Sequence, residues 1–341
     1  MDISVLMSVY NEPVHQVERA VESVLKQSYG CFEFIIIVDN PANTELISYL
    51  EDKKESDTRI KVFVNSTNVG LTKSLNIGLN HCTGKYIARM DADDVSLPQR
   101  FEKQFFYLES HPDIVACGSF FKLIDDTDRE IGKVQLETSS ESIFHNLLFQ
   151  TPFCHPATML LRIIDGKSIH YNEELRYSQD YGLWSSLGLC HNFANIPEYL
   201  FCYRVSSNQI SFKNREEQQR CHISVQRQLI SDLGLVLSEL DERIIINLLN
   251  QRERLFSCSE IEGAILRFVN NNVSNTRIST IHNKEVLLLN YANYLPIHFS
   301  VMKSFYRTCI LSFQLKHFSY KSFISLANKS WLKLKQVFTN E

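Results

Sequence analysis

The stretch YIARMDADDVSLPQR, residues 86–100, runs from an apolar strand-like segment into three carboxylates, Asp91, Asp93 and Asp94, and on to Pro98 and Arg100. On an extended chain, side chains two positions apart point the same way, so Asp91 and Asp93 share a face within reach of one cation. Hard divalent ions such as Mg²⁺ or Mn²⁺ take carboxylate oxygens and keep positions open for substrate phosphates. A metal clamp on a diphosphate is one reading of the pair. The other is a solvated acidic turn that caps a helix starting near Leu97, since Asp and Ser favour such positions. Asp94 caps or orients the segment after it, and Pro98 and Arg100 open the next helix.

Outward from this stretch the chain keeps one rhythm. ISVLMSV precedes a helical segment at 14–27, FEFIIIV one at 42–53, RIKVFVN one at 71–81, and KYIARM one at 97–111. Strand and helix alternating in this way predict an α/β fold with a mostly parallel sheet covered on both faces. Ligands of such sheets bind outside the carboxyl ends of the strands. The polar residues just after each run, YNEP, DN, NVGLT and DADD, are therefore the candidate site. Asp39, at the end of the second strand, either accepts hydrogen bonds from a base or ribose or forms an ordinary turn before Pro41. No GxGxxG follows the first strand, which counts against a nicotinamide or flavin dinucleotide.

Beyond residue 114, IVACGSFFKLID and EIGKVQL read as paired strands around the turn DDTDR, and SSESIFHNLLFQ as a short serine-capped helix. A helical segment at 181–189 follows Asp180, and 216–338 reads almost wholly helical. The expected organisation is a domain over 1–215 and a helical region over 216–341.

Several function classes fall away on composition. With 341 residues, 44% of them hydrophobic and 22% charged, the chain is an ordinary folded protein. Its nine cysteines are odd in number and never paired as CxxC, which argues against a disulfide framework or a cysteine-rich zinc site and favours a reducing cytoplasm. The N-terminus reads as a first strand and not as a signal peptide, and no uncharged apolar run reaches the roughly 18 residues of a membrane span. From Lys303 onward seven Lys/Arg face one acid, giving a basic tail of +6 on a chain of net charge −4. Its Phe, Trp and Leu positions recur at helical spacing, so the tail either binds an anionic membrane surface or packs on its own domain or on a homodimer partner. The acidic remainder argues against nucleic acid.

Taken together, SVYNEP, Asp39, NVGLTKSLNIGL, YIARMDADDVSLPQRFEKQ, HPATMLLR and YSQDYGLW resemble, in order and spacing over residues 1–210, the family 2 glycosyltransferases of the GT-A fold. The resemblance implies an inverting transfer of a hexose from a nucleotide sugar such as a UDP-hexose, with Mn²⁺ or Mg²⁺. It places Val9, Asn11, Glu12, Asp39, Asn68, Lys73, Asp91 and Arg204 on the nucleotide-sugar side, Asp91 and Asp93 on the metal, and Asp180 as the catalytic base. His155, Gln179 and Trp184 fall near the acceptor or diphosphate. Each has a plainer alternative: an N-cap for Asp180, a structural role for His155, an ion pair for Arg204, core packing for Trp184 and for Arg89 within its strand. The family's usual Glu-Asp is here Gln179-Asp180, and its double aspartate after the second strand is Asp39-Asn40. The motif and membrane helices of processive members are missing, which implies one sugar per encounter. By analogy the acceptor is a saccharide on a polyprenyl diphosphate, in O-antigen or capsule assembly at the inner face of the plasma membrane. A catalytically silent nucleotide-sugar-binding subunit keeps the same fold and Asp39 without needing a base.

Overall fold

The computed structural model describes residues 1–206, 215–250, 255–272 and 274–275. The first strands are β1 (Ile3–Val9), β2 (Phe32–Val38), β3 (Ile60–Val64) and β4 (Tyr86–Asp91), alternating with helices α1 (Val14–Leu25), α2 (Thr44–Ser56) and α3 (Leu71–His81). β1 and β2 are buried at every residue, as befits strands covered on both faces. Alternate side chains feed two cores. Val5, Met7, Phe34 and Ile36 meet Val17, Val21 and Leu46 of α1 and α2, whereas Leu6, Ile35 and Ile37 meet Leu75 and Leu79 of α3.

The four strands pair in parallel in the order β3-β2-β1-β4. The chain thus turns one way from β1 to β2 and the other way to β4, and the crevice at that reversal is where an open α/β sheet binds its ligand. Register brings the ends level: Val9 pairs with Val38, and Ser8 with Asp91.

Past β4 the sheet becomes mixed. β5 (Val95–Ser96) is followed by α4 (Arg100–Ser110), β6 (Ile114–Ile124), β7 (Glu130–Val134) and α5 (Ser140–Asn146). A 3-10 turn at His155–Ala157 leads into β8 (Met159–Leu161), the small hairpin β9 (Ile163–Ile164) and β10 (Lys167–Ser168), α6 (Gln179–Gly188) and β11 (Asn192–Arg204). β8 runs antiparallel between β4 and β6, β11 lies parallel to β6, and β5 pairs antiparallel with β11. The expected β6–β7 hairpin and the Ser139 cap of α5 are present.

Three expectations change. α4 starts at Arg100 and not near Leu97, because β5 is drawn onto β11 and the Leu97 N–H donates to the Leu200 carbonyl at 3.0 Å. β11 was not anticipated: Pro197 interrupts its alternation, and register shifts around Ile196–Phe201 absorb it. Ala92 and Asp93 form a turn and are not extended, so the acids of the opening stretch do not lie along one strand face.

The chain divides into two compact units, Met1–Val225 and a second beginning at Gln226. α7 (Arg215–Asp232) ends at Gly234, whose φ of 65° suits glycine, and α8 (Glu239–Leu249) and α9 (Cys258–Asn271) follow. Among the described residues no helix is long and apolar enough to cross a membrane. The basic tail after Lys303 lies outside the described residues.

At the opposite end of the sheet from the strand-end acids, Glu33 is 2% exposed and accepts from Ser4 Oγ, the Thr83 N–H and hydroxyl, and Lys61 Nζ. Burial alone would raise its carboxyl, but Lys61, Ser4 and Thr83 hold it down to about 2. A carboxylate depressed from 4.5 to about 2 stabilises the fold by about 3 kcal/mol above pH 4.5, and that share disappears as pH falls to 2. Glu33→Gln is therefore expected to lose about that much at pH 7 and to converge with wild type near pH 2, which denaturant melts at stepped pH would register.

Candidate active site

At the end of β1 the chain leaves the sheet through Tyr10, Asn11 and Glu12. Glu12 folds back, its carboxylate accepting from the Tyr10 N–H at 2.7 Å. Burial pushes the Glu12 carboxyl up against the pull of these backbone amides, and the nearby charge of Asp91 adds to the rise. Asn11 Oδ1 accepts from Asn40 Nδ2 at 2.6 Å. Asn40, where the family's second aspartate would stand, thus ties its side chain to Asn11.

Asp39 is 3% exposed and already employed. One oxygen accepts from Asn65 Nδ2 (2.8 Å) and the Val69 N–H (2.9 Å), the other from the Gly70 N–H at 2.8 Å. The φ of 89° at Gly70 aims that N–H inward, a conformation glycine adopts without strain. Asp39 is thus the tether of the 65–70 loop, and the oxygen that Gly70 contacts has capacity for one more donor. On that loop Asn68 is exposed, its Oδ1 accepting from Gly70, and Lys73 stands exposed on the first turn of α3. Val9 is buried, its carbonyl accepting from the Asp39 N–H.

Asp91 is half-exposed above Arg89, which is fully buried inside β4. Arg89 donates to Asp91 Oδ1 at 2.5 Å and to the carbonyl oxygens of Leu6 and Met90. The residue that read as packing is the counter-charge beneath the acids. Arg100 is likewise buried and structural: it donates to the carbonyls of Arg89 (2.8 Å) and Thr158 (3.0 Å), joining β4 to the loop before β8.

Burial, Asp91 and Glu12 together push the Asp93 carboxyl up to about 7. Asp94 is fully buried, with Oδ1 accepting from the Arg204 N–H at 2.7 Å. Arg204 is a correction to the sequence reading: its guanidinium, 1% exposed, is spent inside the protein on the Asp93 and Asp125 carbonyls and on Asp128. It is neither a surface ion pair nor turned outward to a diphosphate.

Asp180 is the second residue of α6, inside the helix, with Ser178 in the cap position, so the N-cap alternative does not hold. Burial raises its carboxyl; the amides of Tyr181 and Asp180 itself and the charge of Arg89 pull the other way, while Asp91 raises it further. Asp180 and the strand-end acids therefore share one electrostatic neighbourhood, although about 90 residues separate them in sequence. Gln179 is buried beside Asp180. His155 Nε2 lies 2.9 Å from the Tyr171 hydroxyl, and burial pushes its imidazole well below the usual range, so the ring is neutral. Trp184 is fully buried edge-on to Phe153 and Phe193, a core residue and not a platform for a sugar.

The donor set suits a hard divalent ion. Among the described residues no three His, Cys, Asp or Glu side chains converge as a protein-only cage. A half-buried Asp93, lifted by burial and by the charges of Asp91 and Glu12, is the kind of carboxylate that a divalent cation sharing substrate oxygens would stabilise. Tyr171 beside His155 and the Arg204–Asp128 contact were missed, because each depends on a partner distant in sequence.

Comparison with known proteins adds to this geometry. Residues 4–164 match the family model described as glycosyl transferase family 2. An uncharacterized glycosyltransferase of Haemophilus influenzae is 33% identical over 241 residues, covering 67% of this chain and 73% of that protein. The O-antigen biosynthesis glycosyltransferase WbnJ of Escherichia coli is 33% identical, covering 60% of this chain and 79% of that protein. The crystal structure of S. aureus TarS 1-349 in complex with UDP-GlcNAc shares the architecture at a TM-score of 0.55 and 15% identity, covering 98% of this chain and 92% of that one. That likeness bears out the GT-A fold expected from the strand-end motifs.

Proposed function

Since the chain belongs to glycosyl transferase family 2, we propose that it is an inverting, divalent-metal-dependent hexosyltransferase that takes its sugar from a UDP-hexose. The observation that carries this reading is that Asp91, at the end of β4, lies within electrostatic reach of Glu12 after β1, of Asp93 in the next turn and of Asp180 at the start of α6. The acceptor is a saccharide, carried on a polyprenyl diphosphate, in assembly of O-antigen or capsule; a relative named for O-antigen biosynthesis supports the pathway class. A cytoplasmic site at the inner membrane face, held by the basic tail, accords with such a substrate.

Asp180 removes the proton of the acceptor hydroxyl as that oxygen bonds the anomeric carbon, and the bond to the diphosphate oxygen breaks with its electrons leaving on the nucleotide. Asp93, with Asp91, would hold Mn²⁺ or Mg²⁺, which supplies charge stabilisation to the leaving diphosphate. Val9, Asn11, Glu12, Asp39, Asn68 and Lys73 form the nucleotide side. Arg89 holds the Asp91 carboxylate from beneath, and Arg204 braces the Asp93–Asp94 backbone from behind.

A panel of nucleotide sugars, assayed with Mn²⁺ and a synthetic lipid-diphosphate sugar and read by product mass, is expected to give one hexose added per acceptor from a UDP-linked donor. Binding of UDP-sugars without product from any acceptor would favour the silent subunit.

A further inference from the structure

The turn between β6 and β7 lies more than thirty residues from the strand-end acids, yet it reaches them through a single side chain. Arg204, the last residue of β11, donates through its N–H to Asp94 Oδ1 (2.7 Å) and through Nε to the Asp93 carbonyl (2.6 Å). On its other side Nη1 donates to the Asp125 carbonyl (2.6 Å) and Nη2 to Asp128 Oδ1 (2.5 Å). The second oxygen of Asp128 accepts from Arg19 of α1, with Nε at 2.9 Å. The backbone of Asp128 is left-handed, at φ 63°, which is unusual for a residue with a side chain. Asp125 closes the turn, its carboxylate accepting from the N–H groups of Thr127 and Arg129.

We propose that Asp128 is a positioning residue for transfer: it orients the buried Arg204 guanidinium, which in turn sets the Asp93–Asp94 backbone and so the aim of the Asp93 carboxylate. The Arg204 guanidinium is 1% exposed, and its Nη2 is held by Asp128 Oδ1, so Asp128 helps fix the direction in which the rest of the fork points. Without that hydrogen bond the fork is oriented less firmly, and its contact with the Asp93 carbonyl loosens. Asp128 itself is tied to Arg19 of α1 on its other oxygen. The inference rests on the metal-dependent reading above.

The test uses the full chain and follows Mn²⁺ by electron paramagnetic resonance in the presence of UDP, beside the transfer rate and the melting temperature. Asp128→Gly keeps the left-handed turn without strain and removes the carboxylate. It is expected to weaken Mn²⁺·UDP binding roughly tenfold, as loss of a charge-assisted hydrogen bond would. Asp128→Asn, whose amide oxygen still accepts from Arg204, is expected to recover most of that loss. Wild-type binding in the glycine variant overturns the proposal. So does equal weakening in both variants together with a lowered melting temperature, which marks general damage. A wild-type protein that fails to bind Mn²⁺·UDP at all overturns the metal reading itself, and the positioning role falls with it.

Discussion

Asp180→Asn is expected to lower kcat by about three orders of magnitude, the usual worth of a positioned general base, with UDP and Mn²⁺ binding unchanged. Asparagine has the same shape and keeps the helix start, so the loss would report the proton acceptor alone. Burial lifts the Asp180 carboxyl above its ordinary 3.8, and Asp91 lifts it further. A base works only when ionised, so the acid limb of the rate profile should lie above the usual aspartate range. Asp91→Asn should shift that limb to lower pH by removing the like charge. An acid whose folded value is raised costs stability at neutral pH, so Asp180→Asn should melt no lower than wild type, and slightly higher. Full activity in this variant would exclude Asp180 as the base.

Asp93→Asn is expected to reduce transfer by about 10³-fold and to abolish tight Mn²⁺ binding in the presence of UDP, since it removes a charge facing the leaving diphosphate. The loop should survive the change. Arg204 holds the Asp93 carbonyl, which the substitution leaves in place, and asparagine carries no charge to bury or to set against Asp91 and Glu12. Wild-type turnover at the same Mn²⁺ concentration, measured by UDP release, would remove Asp93 from the metal site.

Much of the fold could be read directly because the short runs at 3–9 and 32–38 are predominantly apolar and β-branched, as strands buried on both faces are. The helix 71–81 has the boundaries its spacing predicts, closed in front by a glycine at positive φ. β11 escaped notice because Pro197 breaks its pattern, and only register shifts against β6 reconcile a proline with a sheet interior. The same missed strand delays α4 and carries Arg204 to the back of Asp93. Asp39 shows the limit of motif reading in another way. Its position at a strand end was legible, but its use as the tether of the 65–70 loop was not.

From the amino-acid order alone came the alternation of strand and helix, the crevice at the strand ends and the identity of the acids there, because hydrophobic period and strand-end polarity are local properties. The tertiary structure decided what those acids experience. Arg89 is a counter-charge only because β4 buries it beneath Asp91, and Asp180 is a neighbour of Asp91 only because α6 packs onto the α3 face of the sheet. A carboxylate's charge, reach and pKa are set by what lies within a few ångströms, and folding alone determines that distance.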